Sequence, residues 1–455
     1  MADALELTYD VFSLPTAQHR AGLAGLYVVA DTMRRRRMAD VPDVALDGTS
    51  GLRLSLTGAS LTALFNYLYE ATTEEARSTA VRKKRDGSPV PPLREEREIN
   101  TNPRTNQQST RTVYFYPQVV PRAPFLESLG MPEPWLKLWR DVIWSTLRGI
   151  PRTRLPYEQR AGGGSVREAA DTWDELTRWR AARDKGRPYI SEVSSSLFVG
   201  AMARNAEDVP FVGSPDQNLL LHFWPAVMGV GEVWRAERED EEYTEKPAGY
   251  VLAIPDVLDV GWFHDTFAAR VDRLETRMYR YRPRGAVFAL PEEGGLEYLR
   301  HLVALAAARA RAGEVRYAVT GVEVYQLEKQ GNSIRVLAAG RVPATEDLLN
   351  DYEAIHDRYR DLTFRGQLIR NLLGERPWYD GFDRLFDRCD RSLFVGPRGV
   401  SFGADAHRRF RTEFASVADD AAGKVDTEEG DGDERDRGDR GPVEAGPRHD
   451  PAVCL

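Results

Sequence analysis

Val209 to Arg235 reads VPFVGSPDQNLLLHFWPAVMGVGEVWR, and Gly249 to Val257 reads GYVLAIPDV. Ser214-Pro215-Asp216 is a helix start: a hydroxyl to cap, then proline and an acid in the first turn. Leu219, Leu220, Leu221, Phe223 and Trp224 then leave no polar face. A helix apolar all round belongs in the middle of a protein, so this stretch predicts a central buried helix. Pro225 should kink it, and Gly229 and Gly231 should loosen its end. Gly249 to Ile254 is a short continuous apolar run, the pattern of a buried strand. Glu237 to Lys246, between them, is almost entirely charged and is expected to be a solvated loop.

Working outward, Leu5 to Ser13 reads as a strand, and Thr16 caps a helix running to about Met38. Ala21, Gly22, Ala24 and Gly25 make one surface of that helix small enough for another backbone to approach. Its end, Arg34 to Arg37, sets four cations where the helix dipole favours them, and four in a row also suit phosphate. Gly51 to Thr57 alternates as a strand, and Ser60 to Glu70 is an amphipathic helix. Further strands are expected at Thr112 to Val119, Val193 to Val199 and Gly285 to Leu290. Val315 to Lys329 and Ile334 to Gly340 should pair as a hairpin. Helices are expected at Pro134 to Leu147, Ser165 to Asp184, Asp256 to Met278 and Glu293 to Ala312. After Pro343 only helices follow, at about 344–360, 362–373, 377–392 and 405–416. The fold class is therefore α+β. A mixed α/β body (1–342) precedes a helical bundle (343–417) and an acidic tail (418–455) too polar to fold alone.

Two tracts stand apart. Arg82 to Arg111 holds eight bases against four acids and almost nothing apolar, so it reads as a long loop. Arg82, Lys83, Lys84 and Arg85 suit phosphate, and Arg104 adds to them. Asn100, Asn102, Asn106, Gln107 and Gln108 can donate and accept at once, as base edges require. A merely solvated loop is the other reading. The second tract, Ile150 to Ser165, is basic and broken by proline. Its Gly162, Gly163 and Gly164 would leave backbone amides open to a close ligand, or form a plain linker. Arginines stud the helical third, among them Arg358, Arg365 and Arg370.

The 455 residues carry a net charge of −8, which at first argues against nucleic acid. The distribution reverses this. Residues 418–455 hold twelve acids and five bases, a charge of −7, leaving the body near −1 with clustered arginines. Two cysteines exclude a disulfide framework and a multi-thiolate metal site. They suit a reducing cytoplasm. No apolar run approaches the ~20 residues of a membrane helix, and the acidic N-terminus is no secretory signal. HExxH, GxSxG, CxxC and Walker motifs are missing. Two His-Asp pairs, His264-Asp265 and His356-Asp357, are half of what an HD-type phosphohydrolase uses to hold metal. His222, in an apolar run, reads as a hydrogen-bonded core residue.

Val209 to Pro225 and Gly249 to Val257, with LTYDVFSLPTAQHRAGLAGL from Leu7 to Leu26, resemble the large subunit of type I CRISPR surveillance (Cascade) complexes, in the lineage called the myxan subtype. The resemblance covers roughly residues 5 to 415. It implies a non-catalytic protein, without cofactor, at the foot of a crRNA-guided complex. Such a subunit contacts the backbone subunits and the crRNA 5′ end. It recognises the protospacer-adjacent motif in double-stranded target DNA, helps open the strands and recruits a helicase-nuclease. Its C-terminal helical bundle lies near the displaced strand. The chain is short for that family. The alternatives are an HD-type metal-dependent nuclease and a scaffold that touches only protein.

Overall fold

A computed structural model describes residues 4–84, 86–101, 108–194, 196–202, 211–239, 242–310, 318–331, 333–388 and 402–411. The chain opens with β1 (Leu5–Asp10), α1 (Ala17–Arg35), β2 (Asp43–Asp47), β3 (Gly51–Leu56) and α2 (Gly58–Leu68). Strands β4 (Ala71–Ser78), β5 (Arg94–Thr101) and β6 (Gln108–Pro121) follow. Then come α3 (Pro124–Ser128), α4 (Glu133–Val142), α5 (Leu155–Ala161) and α6 (Arg167–Arg183). After the short pair β7 (Ser191–Glu192) and β8 (Val212–Gly213) come α7 (Pro215–Leu220), β9 (Gly229–Glu239), β10 (Glu242–Val257) and α8 (Val260–Val271). Two-residue strands β11 (Met278–Tyr279), β12 (Arg282–Pro283) and β13 (Val287–Phe288) lead to α9 (Pro291–Ala310) and the hairpin β14 (Val319–Gln330) and β15 (Ser333–Pro343). Helices α10 (Glu346–Arg358), α11 (Leu362–Leu373), α12 (Phe382–Arg388) and a helical stretch at 402–411 complete the described chain, which is α+β as expected.

The central sheet has the order β13-β9-β10-β14-β15. Val251 to Ile254 of β10 lie in its middle, each buried, which is why this run shows no polar alternation. The buried helix at the centre is α1, not the 214–224 stretch. Fourteen of its nineteen residues are buried, and it packs against β10, α7, α8 and the turn at Trp224–Ala226. Pro225 ends the predicted helix early, because it has no N–H to donate and its ring disfavours helix in the residue before it. The chain instead tightens into three-residue bonds, His222 N–H to Leu219 and Phe223 N–H to Leu220. Gly22 and Gly25 receive this segment. A Cβ on either would stand 2.1 Å from the carbonyl oxygen of Leu220 or Phe223. The small face of α1 thus serves a backbone-to-backbone contact.

Several expectations are corrected. Within Glu237 to Lys246, residues 237–239 and 242–246 are not loop but the outer part of the β9–β10 hairpin. The ladder begun at the buried residues continues into water, where charges on both faces erase the period-2 signal. Gly229 and Gly231 lie inside β9 for the same reason, under Tyr298 and Phe288. Of Val193 to Val199, expected as a strand, the described residues 193–194 and 196–198 are irregular or turn, and a 3-10 segment begins at Val199. Arg82 to Arg111 contains β5 and the start of β6, and Ile150 to Ser165 contains α5. The predicted helix over Asp256 to Met278 shortens to α8, capped by Asp259, whose carboxylate accepts from Trp262 N–H at 2.8 Å.

One apolar core runs from Leu5 to Ile369 and takes Leu349, Tyr352 and Ile369 from α10 and α11. A smaller cluster of Tyr359, Phe364, Leu368 and Phe402 belongs to the helical third alone. A polar chain is buried beside the main core. Arg148 donates to Tyr69 Oη (2.9 Å) and Ser196 (3.1 Å), and the Tyr69 hydroxyl meets His222 Nδ1 at 2.8 Å. Burial, then the Arg148 charge, pushes His222 down to about 3, so it is the neutral core histidine expected of it. The tail, 418–455, lies outside the described residues.

Candidate nucleic-acid interface

Strands β4, β6 and β5 form a separate antiparallel sheet, with β6 between the other two. The register shows its shape. β4 covers Pro121 back to Tyr114, and β5 covers Phe115 on to Gln108. The segment 79–93 therefore crosses from one edge of β6 to the other, and beyond Tyr114 only the two-stranded ribbon β5–β6 continues. At about 3.3 Å per residue, the 14 residues of β6 span roughly 45 Å. Ala71 is buried at the root and Tyr116 and Val113 farther along β6, while residues 108–111 at its outer end are exposed.

Side chains alternate across this ribbon, so its two faces can be read separately. One face carries Arg94, Glu96 and Glu98 of β5, with Arg77 and Glu75 of β4 beside them. With Arg111 of β6, opposite Glu98, they make three bases against three acids. Arg94 pairs with Glu75 at 2.9 Å and also with Glu96, and Arg77 pairs with Glu98. The Arg94 guanidinium also lies 3.6 Å from the centre of the Phe115 ring. The opposite face carries Glu95, Arg97 and Ile99 of β5 against Tyr114, Thr112 and Thr110 of β6. Ile99 is 68% exposed, so it is not packing a core. Tyr116 lies on this second face, and it receives the basic loop. Arg82 donates its backbone N–H to Tyr116 Oη at 3.0 Å, and its guanidinium sits 4.9 Å from the ring centre.

The loop is itself ordered. Lys83 bridges to Pro89, Lys84 N–H donates to Ser88, and Asp86 caps Ser88 N–H at 2.9 Å. Gly87 takes φ +83°, which a side chain would resist. Arg82, Lys83 and Lys84 are exposed on this turn. Arg85, Asn102, Arg104, Asn106 and Gln107 lie outside the described residues. Asn100 stands in β5 opposite Ser109, and Gln108 opens β6, exposed.

Other sequence candidates converge on the root of this arm. Arg36, in the Arg34–Arg37 tract, lies 6.0 Å from the Tyr67 ring, one turn before β4. Arg34 and Arg35 answer to Asp31, at 4.0 and 2.7 Å. Helix α5 packs on β4 and β6, and its Arg160 bonds Glu70 at 2.6 Å. Gly162, Gly163 and Gly164 end that helix. Their amides donate to Glu158, Arg160 and Gln159, so they are not open donors waiting for a ligand. Gly163, at φ +79°, makes the turn.

The helical third divides the remaining candidates. Arg358 and Arg370 are exposed on α10 and α11. Arg365 is not available to any ligand. It is 6% exposed, pairs with fully buried Glu293 at 3.0 Å, and donates to the Val287 carbonyl at 2.9 Å. Other arginines are also internal struts. Arg282 holds Glu232 (2.7 Å) and Asp141 (2.6 Å), and Arg20 and Arg341 close on buried Asp256 at 2.5 and 2.8 Å. Both His-Asp pairs close locally. His264 contacts Asp31 (3.0 Å) and Asp265 (3.3 Å), and His356 contacts Asp357 (3.1 Å). Among the described residues no group of three or more His, Cys, Asp or Glu is placed to hold a metal, as an HD site would need. No described helix is long and apolar enough to cross a membrane.

The family model described as the type I-B CRISPR Cas8b N-terminal domain matches residues 41–312, and that for the type I-B CRISPR Cas8b C-terminal domain matches residues 319–436. The chain belongs to the Cas8b family. It is a large subunit of the type I-B CRISPR kind, and its two family domains meet between α9 and β14. No individual curated protein matches the chain. Within this Cas8b chain the β-arm falls in the N-terminal domain, and α10 to α12 in the C-terminal one. Sequence reading missed the ribbon because neither of its faces is apolar. The usable signal was REEREINT, whose Arg94 and Glu98 find partners on the neighbouring β4, at Glu75 and Arg77.

Proposed function

We propose that this Cas8b chain is the subunit that reads a short duplex motif in a crRNA-guided interference complex, and that it does so with the second face of the β-arm. The observation that carries this reading is the asymmetry of the ribbon. One face cancels its charges internally, and the other bears the Arg82–Lys84 turn. A two-stranded ribbon fits the major groove, which is about 12 Å wide. There Gln108 would meet base edges, Ile99 a thymine methyl, and Arg82, Lys83 and Lys84 the phosphates; Arg85, Asn102, Asn106 and Gln107 would add to these contacts from outside the described residues. Guide pairing reads the remainder of the target, so the protein needs only this short contact.

The residues 343–417 act, in this reading, on the displaced strand, with Arg358 and Arg370 as phosphate contacts. The chain works without catalysis or cofactor, in the cytoplasm. Its partners are crRNA, the backbone subunits and a helicase-nuclease recruited on target binding. Leu7 to Leu26 and Val209 to Val257 favour the myxan lineage, which the neighbouring genes would test.

The deciding experiment uses the assembled complex and target duplexes with correct or altered motif. Neutralising Arg82, Lys83, Lys84 and Arg85 should weaken both equally and flatten the slope of log affinity against log salt by about 0.9 for each phosphate no longer neutralised. Alanine at Asn102, Asn106, Gln107 or Gln108 should narrow the gap between the two duplexes, by about 1–3 kcal/mol for a bidentate contact. An unchanged salt slope together with an unchanged gap would leave the chain a protein-only scaffold.

A further inference from the structure

The cleft between α10, α11 and the 402–411 helix stands out in the molecule. It has a volume of about 220 Å³, whereas the cavities beside His222 and beside Tyr298 have about 20 and 10 Å³, room for little more than a water molecule. Its floor is Tyr359, Leu368 and Leu372, and its wall is Trp378. Its rim carries three arginines, Arg358, Arg376 and Arg409, against one acid, Asp351. Apolar depth with a cationic mouth is the chemistry of a ring joined to a phosphate.

We infer that this cleft takes one unstacked base of single-stranded DNA, with the adjoining phosphate at the arginine rim. Two further observations support it. Tyr359 is 1% exposed, yet its hydroxyl has no hydrogen-bond partner among the described residues, although buried hydroxyls are normally satisfied. A base edge would supply that partner. Trp378 is only half buried, and it is held in place. Tyr379, Phe382 and Phe410 meet its ring by their edges, at 86°, 61° and 79°, and Asn371, itself buried, donates to its carbonyl at 2.7 Å. The Arg409 guanidinium lies 5.2 Å from the ring centre. The guanidinium over the indole is a cation–π contact, and exposed edges and planes of such pairs are surfaces on which any base can stack. The Arg376 side chain pairs with exposed Asp380 at 3.3 Å, a bond that a phosphate can replace. Arg358, Arg365 and Arg370 are the sequence candidates of the helical third. The structure removes Arg365 and brings Arg358 beside Trp378.

The inference rests on the reading of the chain as a DNA-engaging subunit, and its test is kept separate from the arm. Full-length protein is titrated against a labelled single-stranded DNA oligonucleotide and against the same backbone with abasic sites. The normal strand should bind about tenfold or more tightly than the abasic one. Trp378→Ala should abolish that difference, and Trp378→Phe should keep most of it. Because Trp378→Ala can loosen the helices around it, Arg358→Glu serves as a second variant at an exposed position. It should weaken both strands several-fold without shifting the melting temperature. Equal binding of normal and abasic strands, or a difference that survives Trp378→Ala, overturns the inference. So does a mononucleotide or an RNA strand that binds as tightly as the DNA strand. Motif-bearing duplex is titrated alongside. Its binding should be unchanged in the Trp378 variants, so a failure of the arm reading would show there, independently of the cleft.

Discussion

Arg365 and Arg358 are seven residues apart on neighbouring helices, and only burial separates their roles. Arg365→Ala would leave Glu293, fully buried, without its counter-charge, a loss of about 3–5 kcal/mol. Arg358→Ala, on the surface, should stay within about 0.5 kcal/mol. Urea unfolding of the two variants reads this directly, and equal midpoints would show that the pair contributes nothing. Histidines give a second prediction. Burial, with nearby arginine charge, lowers His222 to about 3 and His19 to about 4. Both are depressed below the unfolded value near 6.5, so the unfolded chain binds more protons between these limits. Their contribution is complete above pH 6.5 and declines as pH falls towards 3 to 4. Thermal melts from pH 7.5 to 4.5 should therefore fall. His222→Gln, which can still accept from Tyr69, should make that fall shallower by about one proton's worth, roughly 1.4 kcal/mol per pH unit. A slope identical to the parent would place His222 in contact with water.

At the scale of elements, α1 and the β-arm show two opposite ways of being legible. The small face of α1 announced a close neighbour, and the structure supplies it: the carbonyls of Leu220 and Phe223. Gly22→Ala or Gly25→Ala cannot be absorbed by a rotamer change, since backbone is in the way. Each should cost about 1–3 kcal/mol or more. Gly48→Ala, at a turn where nothing lies within 4 Å, serves as a control whose smaller loss comes from its φ of +68° alone. Equal losses at the three sites would mean that α1 can shift away from its partner. The arm was illegible for the converse reason. A strand announces itself when one face is dry, and the outer ribbon has water on both. Its order comes from the ladder and from Arg94–Glu75 and Arg77–Glu98, partners 19 and 21 residues apart.

Taken whole, the chain concentrates its net charge in one terminal segment. The 418–455 segment holds −7 of the net −8, so its removal should raise non-specific affinity for DNA, most strongly at low salt where the field is least screened. Anisotropy titrations of the parent and a chain ending at 417, at two ionic strengths, check it. A tail that leaves affinity untouched at both would lie beyond the reach of the DNA. Composition and local pattern by themselves determined the α+β class, the buried run at Val251–Ile254, the cap at Thr16, the β14–β15 hairpin and the neutral core character of His222. Each of these is written in a few consecutive residues whose periodicity or capping chemistry is complete on its own. Tertiary structure alone decided that α1, not the 214–224 stretch, is the central helix. It also decided that Arg365 is a strut and that Arg82 shares a face with Tyr116. Those outcomes depend on which distant residue supplies the partner, and a partner about 30 to 200 positions away leaves no mark on local periodicity.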